Sequence, residues 1–275
     1  MSEARTTIVS AAELAENIGR WRVLDCRAVI GDPDGGRAKF ETGHIPGAQY
    51  ADLDRHLAAA PGTGGRHPLP DPEDLRDAFQ AWGINDDDQI VVYDDAGGAY
   101  AGRAWWLARW LGHEKVAVLD GGTAAWNGPW MTNADTPEPG TFSIRASLVR
   151  VIDATAIEAG LGSGDAKAAH TLIDARSQAR FEAREDPFDD ILGHIPGAHC
   201  VPFDGNLGPD GLFRSPEELR ARFESFRTNP VCYCGSGVTA AHNVLAMLIA
   251  GLPEPALYPG SWSEWIRDPD RPRVP

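Results

Sequence analysis

Apolar and polar positions fall into short blocks that recur in kind: a brief apolar run, a loop, then apolar residues at helical spacing. The runs at 23–24, 89–93 and 116–119 read as buried strands, and 104–111, with Trp105, Trp106 and Trp110, reads as a buried helix closed by Gly112. Ser10 followed by Glu13 is a capping-box signal for a helix start. Asp71-Pro72 and Ser215-Pro216 each set an N-cap residue before a proline at the first helical position. A further strand at 231–233 leads into Cys234-Gly235-Ser236-Gly237-Val238-Thr239. Ala240, Ala241, Val244, Leu245, Leu248 and Ile249 then follow at helical spacing. Strands alternating with helices predict an α/β fold: a mainly parallel sheet flanked by helices, with ligands at the carboxyl ends of the strands.

The blocks occur twice. Gly43-His44-Ile45-Pro46-Gly47-Ala48 returns as Gly193-His194-Ile195-Pro196-Gly197-Ala198. Leu24-Asp25-Cys26-Arg27 returns as Ile173-Asp174-Ala175-Arg176, and Leu119-Asp120-Gly121-Gly122 with Trp126 as Tyr258-Pro259-Gly260-Ser261 with Trp265. The unit is far longer than a solenoid module, so the chain is a tandem of two α/β domains. The expected division is residues 1–128, a linker at 129–145 within a Pro- and Gly-rich stretch, and residues 146–275. The nine tryptophans, at equivalent places in the repeats, are expected in the cores.

Composition narrows the function. A chain of 275 residues with 43% hydrophobic content can bury a sizeable core. No apolar run is long enough to span a bilayer, and the N-terminal stretch has no apolar signal core, so a cytoplasmic protein with no membrane partner is expected. The net charge of −15 weighs against nucleic acid as a partner. It also means that an anionic substrate needs a local cation. Four cysteines without a paired C-x-x-C pattern suggest neither a disulfide framework nor a structural zinc site. The sequence holds no motif for a metal or organic cofactor, and none is expected.

The chemistry points to Cys234. A strand end, a loop with two glycines and a helix start place a thiol over backbone N–H groups, which stabilise a thiolate, a persulfide or a substrate anion. A free thiol with a pKa of about 8.5 is only a few per cent thiolate at neutral pH, so such a cradle matters. Cysteine phosphatases place an arginine six residues after the cysteine; here that position is Ala240, which excludes a phosphate clamp. Aligning Tyr93 with Tyr233 puts Asp94 where the second copy has Cys234. The first copy therefore carries no nucleophile and reads as a scaffold.

With the duplication, both GHIPGA segments, the loop CGSGVTA and the closing GSWSEW, almost the whole chain resembles the two-domain rhodanese-like sulfurtransferases. The loop is most similar to that of 3-mercaptopyruvate sulfurtransferases, whereas thiosulfate sulfurtransferases tend to carry basic residues there. The resemblance implies that Cys234 takes a sulfur atom from a small anionic donor, becomes a persulfide and passes the sulfur to a thiophilic acceptor. That acceptor would be a thiol or cyanide, with a thioredoxin-like protein among the candidates. The backbone of Gly235, Gly237, Val238 and Thr239 would cradle the anion. Arg180 matches an arginine that binds the donor's carboxylate, its alternative being a salt bridge at the surface or between domains. The family's second arginine, shortly before GHIPG, is missing: no arginine lies between Arg184 and Gly193. Arg184 is either its substitute or a solvated surface charge. A Ser-His-Asp arrangement for proton transfer would here be Ser236, His67 and Asp54. The neutral loop favours 3-mercaptopyruvate as donor. The alternatives are a thiosulfate sulfurtransferase, or a persulfide carrier or sensor with little turnover of small donors.

Other candidates read as structural. His44 and His194 belong to repeated turns, Arg27 and Arg176 to ion pairs with the preceding aspartates, Cys232 to strand packing, and His242 to packing behind the loop.

Overall fold

The computed structural model describes residues 4–133, 135–161 and 170–275. The strands are β1 (Ile8–Val9), β2 (Arg22–Asp25), β3 (Gln49–Tyr50), β4 (Ile90–Tyr93), β5 (Val116–Leu119), β6 (Thr171–Asp174), β7 (His199–Cys200), β8 (Pro230–Tyr233) and β9 (Ala256–Leu257). They form two parallel sheets, of order β1-β5-β4-β2-β3 and β7-β6-β8-β9. The central strands β4 and β8 are buried at every position, as expected where helices cover both faces. The predicted α/β architecture of two parallel sheets flanked by helices is what the chain adopts.

The two copies keep one register. Asp25 pairs with Tyr93 across β2 and β4, and Asp174 pairs with Tyr233 across β6 and β8. Each aspartate ends its strand and holds the following arginine: Arg27 Nη2 lies 2.6 Å from Asp25, and Arg176 Nη2 lies 2.7 Å from Asp174. The same arginines donate to the carbonyls of Gly43 and Gly193, so a buried ion pair anchors each GHIPG turn. In those turns His44 stacks on Phe40 and His194 on Phe181. Their Nδ1 atoms bond the Phe40 and Phe181 carbonyls.

Local signals placed the helix starts. Ser10 caps Ala11–Asn17 with a complete capping box, as does Ser215 for Pro216–Phe223, and the Asp71 side chain accepts the Glu73 N–H at the head of Pro72–Ala81. The tryptophan-rich helix runs Ala101–Trp110. Trp105, Trp106, Trp262 and Trp265 are fully buried, but Trp130 is 42% exposed. Trp130 lies beyond the last helix of its copy, in a segment that runs across the surface near Gly43.

The chain divides into two compact units, and not by one cut. One comprises Met1–Ala59, Pro70–Leu148 and Pro209–Leu212; the other comprises Ala60–Leu69, Val149–Gly208 and Phe213–Pro275. The short segment Ala60–Leu69 thus packs with the second unit, although it lies in the sequence of the first repeat.

Candidate functional site

The site grows from the end of β8. Cys234 is the first residue past the strand and is 2% exposed. Its N–H donates to Ser261 Oγ (3.0 Å) and its carbonyl accepts the Trp262 N–H (3.0 Å), while the Gly235 carbonyl accepts the Ser263 N–H (2.8 Å). The loop is therefore stitched to the turn that opens the helix Ser261–Trp265. Gly237 has φ +79°, and a Cβ there would meet the Pro259 carbonyl oxygen at 2.2 Å, so only glycine fits. That backbone turn points the Gly237 N–H at Cys234 Sγ, 3.1 Å away. The helix Thr239–Ile249 starts directly after the loop, with Val238, whose side chain cannot cap, at its N-cap. The amide groups of this loop and helix start can therefore favour negative charge on the sulfur.

Two residues on, Ser236 Oγ lies 2.7 Å from His67 Nδ1. His67 arrives on the segment Ala60–Leu69, which belongs to this unit. A tight turn, in which Gly62 and Gly65 exchange backbone hydrogen bonds, delivers it. Gly65, at φ +101°, lies so close to Ser263 and Gly260 that a Cβ would be 2.7 Å from Ser263 Oγ. The next N–H, that of Arg66, donates to the same Ser263 Oγ (2.9 Å). Asp54 falls in the other unit, where it is exposed and its N–H bonds Asp52 Oδ1.

Arg180 stands on the short helix Gln178–Phe181. Its Nε bonds Asp186 (2.9 Å), one Nη bonds Asp189 (3.2 Å), and its guanidinium lies over the Phe188 ring. It reaches the loop: a Cβ on Gly235 would be 2.8 Å from its Nη2. The absence of a side chain at 235 is what admits the cation beside Cys234. Arg184, the other candidate cation, stands differently. Its side chain is 62% exposed and paired with Glu182.

A second guanidinium at the loop, which the sequence reading passed over, is that of Arg66. Arg66 grips Asp189 with both Nη atoms (2.7 and 3.2 Å), also lies over the Phe188 ring at 5.5 Å, and would be 3.2 Å from a Cβ on Gly235. Its position directly before His67 was the available signal, together with the need for positive charge in an acidic chain. Arg176 is buried against Asp174 and stacks on Trp262 at 4.9 Å, beneath the site.

The equivalent loop of the first copy is built on the same plan and filled differently. Asp94 is fully buried and its carboxylate accepts N–H groups of Ala96, Gly98, Tyr100 and Ala101 at 2.8–2.9 Å. Burial raises its pKa, and the N–H groups oppose that shift. The side chain at this position occupies its own cradle.

The other thiols are held as thiols. Burial pushes Cys26 and Cys232 well up, and burial with the nearby Asp174 charge pushes Cys200 up to about 12. Cys232 packs within β8 opposite Ile173. His242 is buried, stacked on Phe213 and bonded to Asn206. Among the described residues no His, Cys, Asp and Glu group is arranged to hold a metal.

Comparison with known proteins places this arrangement. The family described as Rhodanese-like domain matches residues 10–129 and 153–268. A Pseudomonas aeruginosa protein named "Probable 3-mercaptopyruvate sulfurtransferase" is 47% identical over 99% of this chain and 98% of its own. The thiosulfate sulfurtransferase of Rattus norvegicus is 35% identical over 94% of this chain and 92% of its own. Among solved structures, the 3-mercaptopyruvate sulfurtransferase of Escherichia coli superposes with a TM-score of 0.80 at 35% identity, covering 94% of this chain and 100% of that one.

Proposed function

The chain belongs to the rhodanese-like family, with two such domains, and from that premise we propose that it is a sulfurtransferase that moves a sulfur atom from 3-mercaptopyruvate to a thiophilic acceptor through a persulfide on Cys234. One observation carries the reading. A cysteine at a strand end has its sulfur against the Gly237 N–H, a Ser236–His67 pair two residues on, and two guanidiniums over Gly235.

The steps follow from those groups. Arg180 and Arg66 hold the donor's carboxylate, leaving the donor's sulfur to approach Cys234. The Cys234 thiolate attacks that sulfur, a S–S bond forms, the C–S bond breaks, and its electron pair becomes the enolate of pyruvate. The persulfide's S–H proton, relayed through Ser236 and His67, converts the enolate to pyruvate and leaves Cys234–S–S⁻ in the backbone cradle. The acceptor then takes the outer sulfur and returns the thiolate; with cyanide the product is thiocyanate. A thiol, including one on a thioredoxin-like protein, is the proposed cellular acceptor, in the cytoplasm. Among the described residues no helix is long and apolar enough to cross a membrane.

Comparing kcat/KM for 3-mercaptopyruvate and thiosulfate tests the donor. A preference for 3-mercaptopyruvate is expected, and a clear thiosulfate preference overturns it. A second reading, thiosulfate sulfurtransferase, is favoured by the two arginines at the loop and by relatives that carry that name.

A further inference from the structure

Both loop-facing cations share one counterion. Asp189 sets Oδ1 on Arg66 Nη1 (2.7 Å) and Oδ2 on Nη2 of both Arg66 and Arg180 (3.2 Å each). Its side chain is 5% exposed and that of Asp186 is fully buried, so neither carboxylate is screened well by water. Asp186 accepts the N–H groups of Phe188 and Asp189 (3.0 and 3.2 Å), a turn that aims Asp189 back between the arginines. Two guanidiniums thus face two carboxylates, and the cluster is neutral beside Cys234.

We propose that Asp189 selects the donor by charge, cancelling one guanidinium so that the loop accepts a monoanionic carboxylate and disfavours a dianion. The inference rests on the sulfurtransferase reading. A donor carboxylate approaching Arg180 and Arg66 meets guanidinium N–H donors in a cluster with no excess positive charge, which suits a monoanion such as 3-mercaptopyruvate. A dianion such as thiosulfate has a second charge to neutralise, and the carboxylate standing in that place repels it. Asp189 is a positioning and charge-setting residue, touching the arginines and not the reacting sulfur.

The test is D189N, which keeps the shape and removes the charge. The ratio of kcat/KM for thiosulfate to that for 3-mercaptopyruvate should rise by about tenfold or more, and the rise should shrink as ionic strength increases. R66Q/D189N restores the original charge and should return the ratio to within about threefold of wild type. A ratio unchanged in D189N, or still raised in the double variant, overturns the proposal. Should D189N fail to fold, the wild-type protein decides. Pyruvate should protect Cys234 from iodoacetamide better than sulfate does at equal concentration and ionic strength, and equal or better protection by sulfate sinks the idea. If wild type gains no sulfur from either donor, the functional reading fails instead, while the protection experiment still scores the charge proposal.

Discussion

The loops after β4 and β8 are the same device used in opposite ways. Each follows a buried central strand that ends in a tyrosine, and each turns into a helix whose start offers backbone N–H groups. In the first, Asp94 takes four of those N–H groups for good, and the loop is closed as a structural knot. In the second, a sulfur accepts the Gly237 N–H, and cations and a Ser–His pair stand by. An anion cradle stabilises whatever charge is placed in it. Filled by its own carboxylate it supports the fold, and left to a thiol it can hold a charge that comes and goes.

That contrast can be broken most severely at its two key residues. C234S should lower turnover with either donor by about a thousandfold or more and abolish the one-sulfur mass gain after donor treatment. A gain that survives would move the nucleophile elsewhere. D94A should instead cost stability, about 3 kcal/mol or more, because buried N–H groups lose their charged acceptor. It should show as a fall in the denaturant midpoint, and a D94A protein as stable as wild type would undo the reading of that loop.

Next in size is the cation at the second loop. R180A should raise KM for 3-mercaptopyruvate by about tenfold to a hundredfold with a smaller change in kcat, as expected for a lost charge-assisted carboxylate contact. The Ser–His pair comes after it. H67A should lower kcat with 3-mercaptopyruvate by about tenfold to a hundredfold, since an enolate needs a proton. With thiosulfate, whose leaving group is sulfite, the loss should be smaller. Equal losses with both donors would assign His67 to loop support.

The mildest expectation concerns the bystander thiols. Because the Cys200 pKa is pushed up to about 12, it stays protonated at pH 8 and gains thiolate only as pH climbs towards that value. Iodoacetamide at pH 8 should label one cysteine per native chain and four after unfolding.

Much of this was legible in the chain. The Ser10 capping box, the proline-led helices and the strand runs were read from local pattern and stand where they were placed, with ends shifted by a few residues at most. The tandem repeat exposed Asp94 opposite Cys234 without coordinates. The second cation was not legible in this way. Arg184 lay in the right stretch of sequence and points into solvent, while Arg66, from a turn far earlier in the chain, reaches Gly235.

The sequence by itself determined the duplicated α/β scaffold, the single cysteine loop and the loss of its twin, because caps, periodicity and a glycine-bearing turn act between near neighbours. Only the tertiary structure decided which charges surround the thiol. Packing the segment Ala60–Leu69 into the second unit brings Arg66 and His67 to the loop, and a buried turn aims Asp189 between two guanidiniums. Partnerships of that kind depend on where distant segments come to rest, and burial then gives each charge a weight that counting along the chain does not contain.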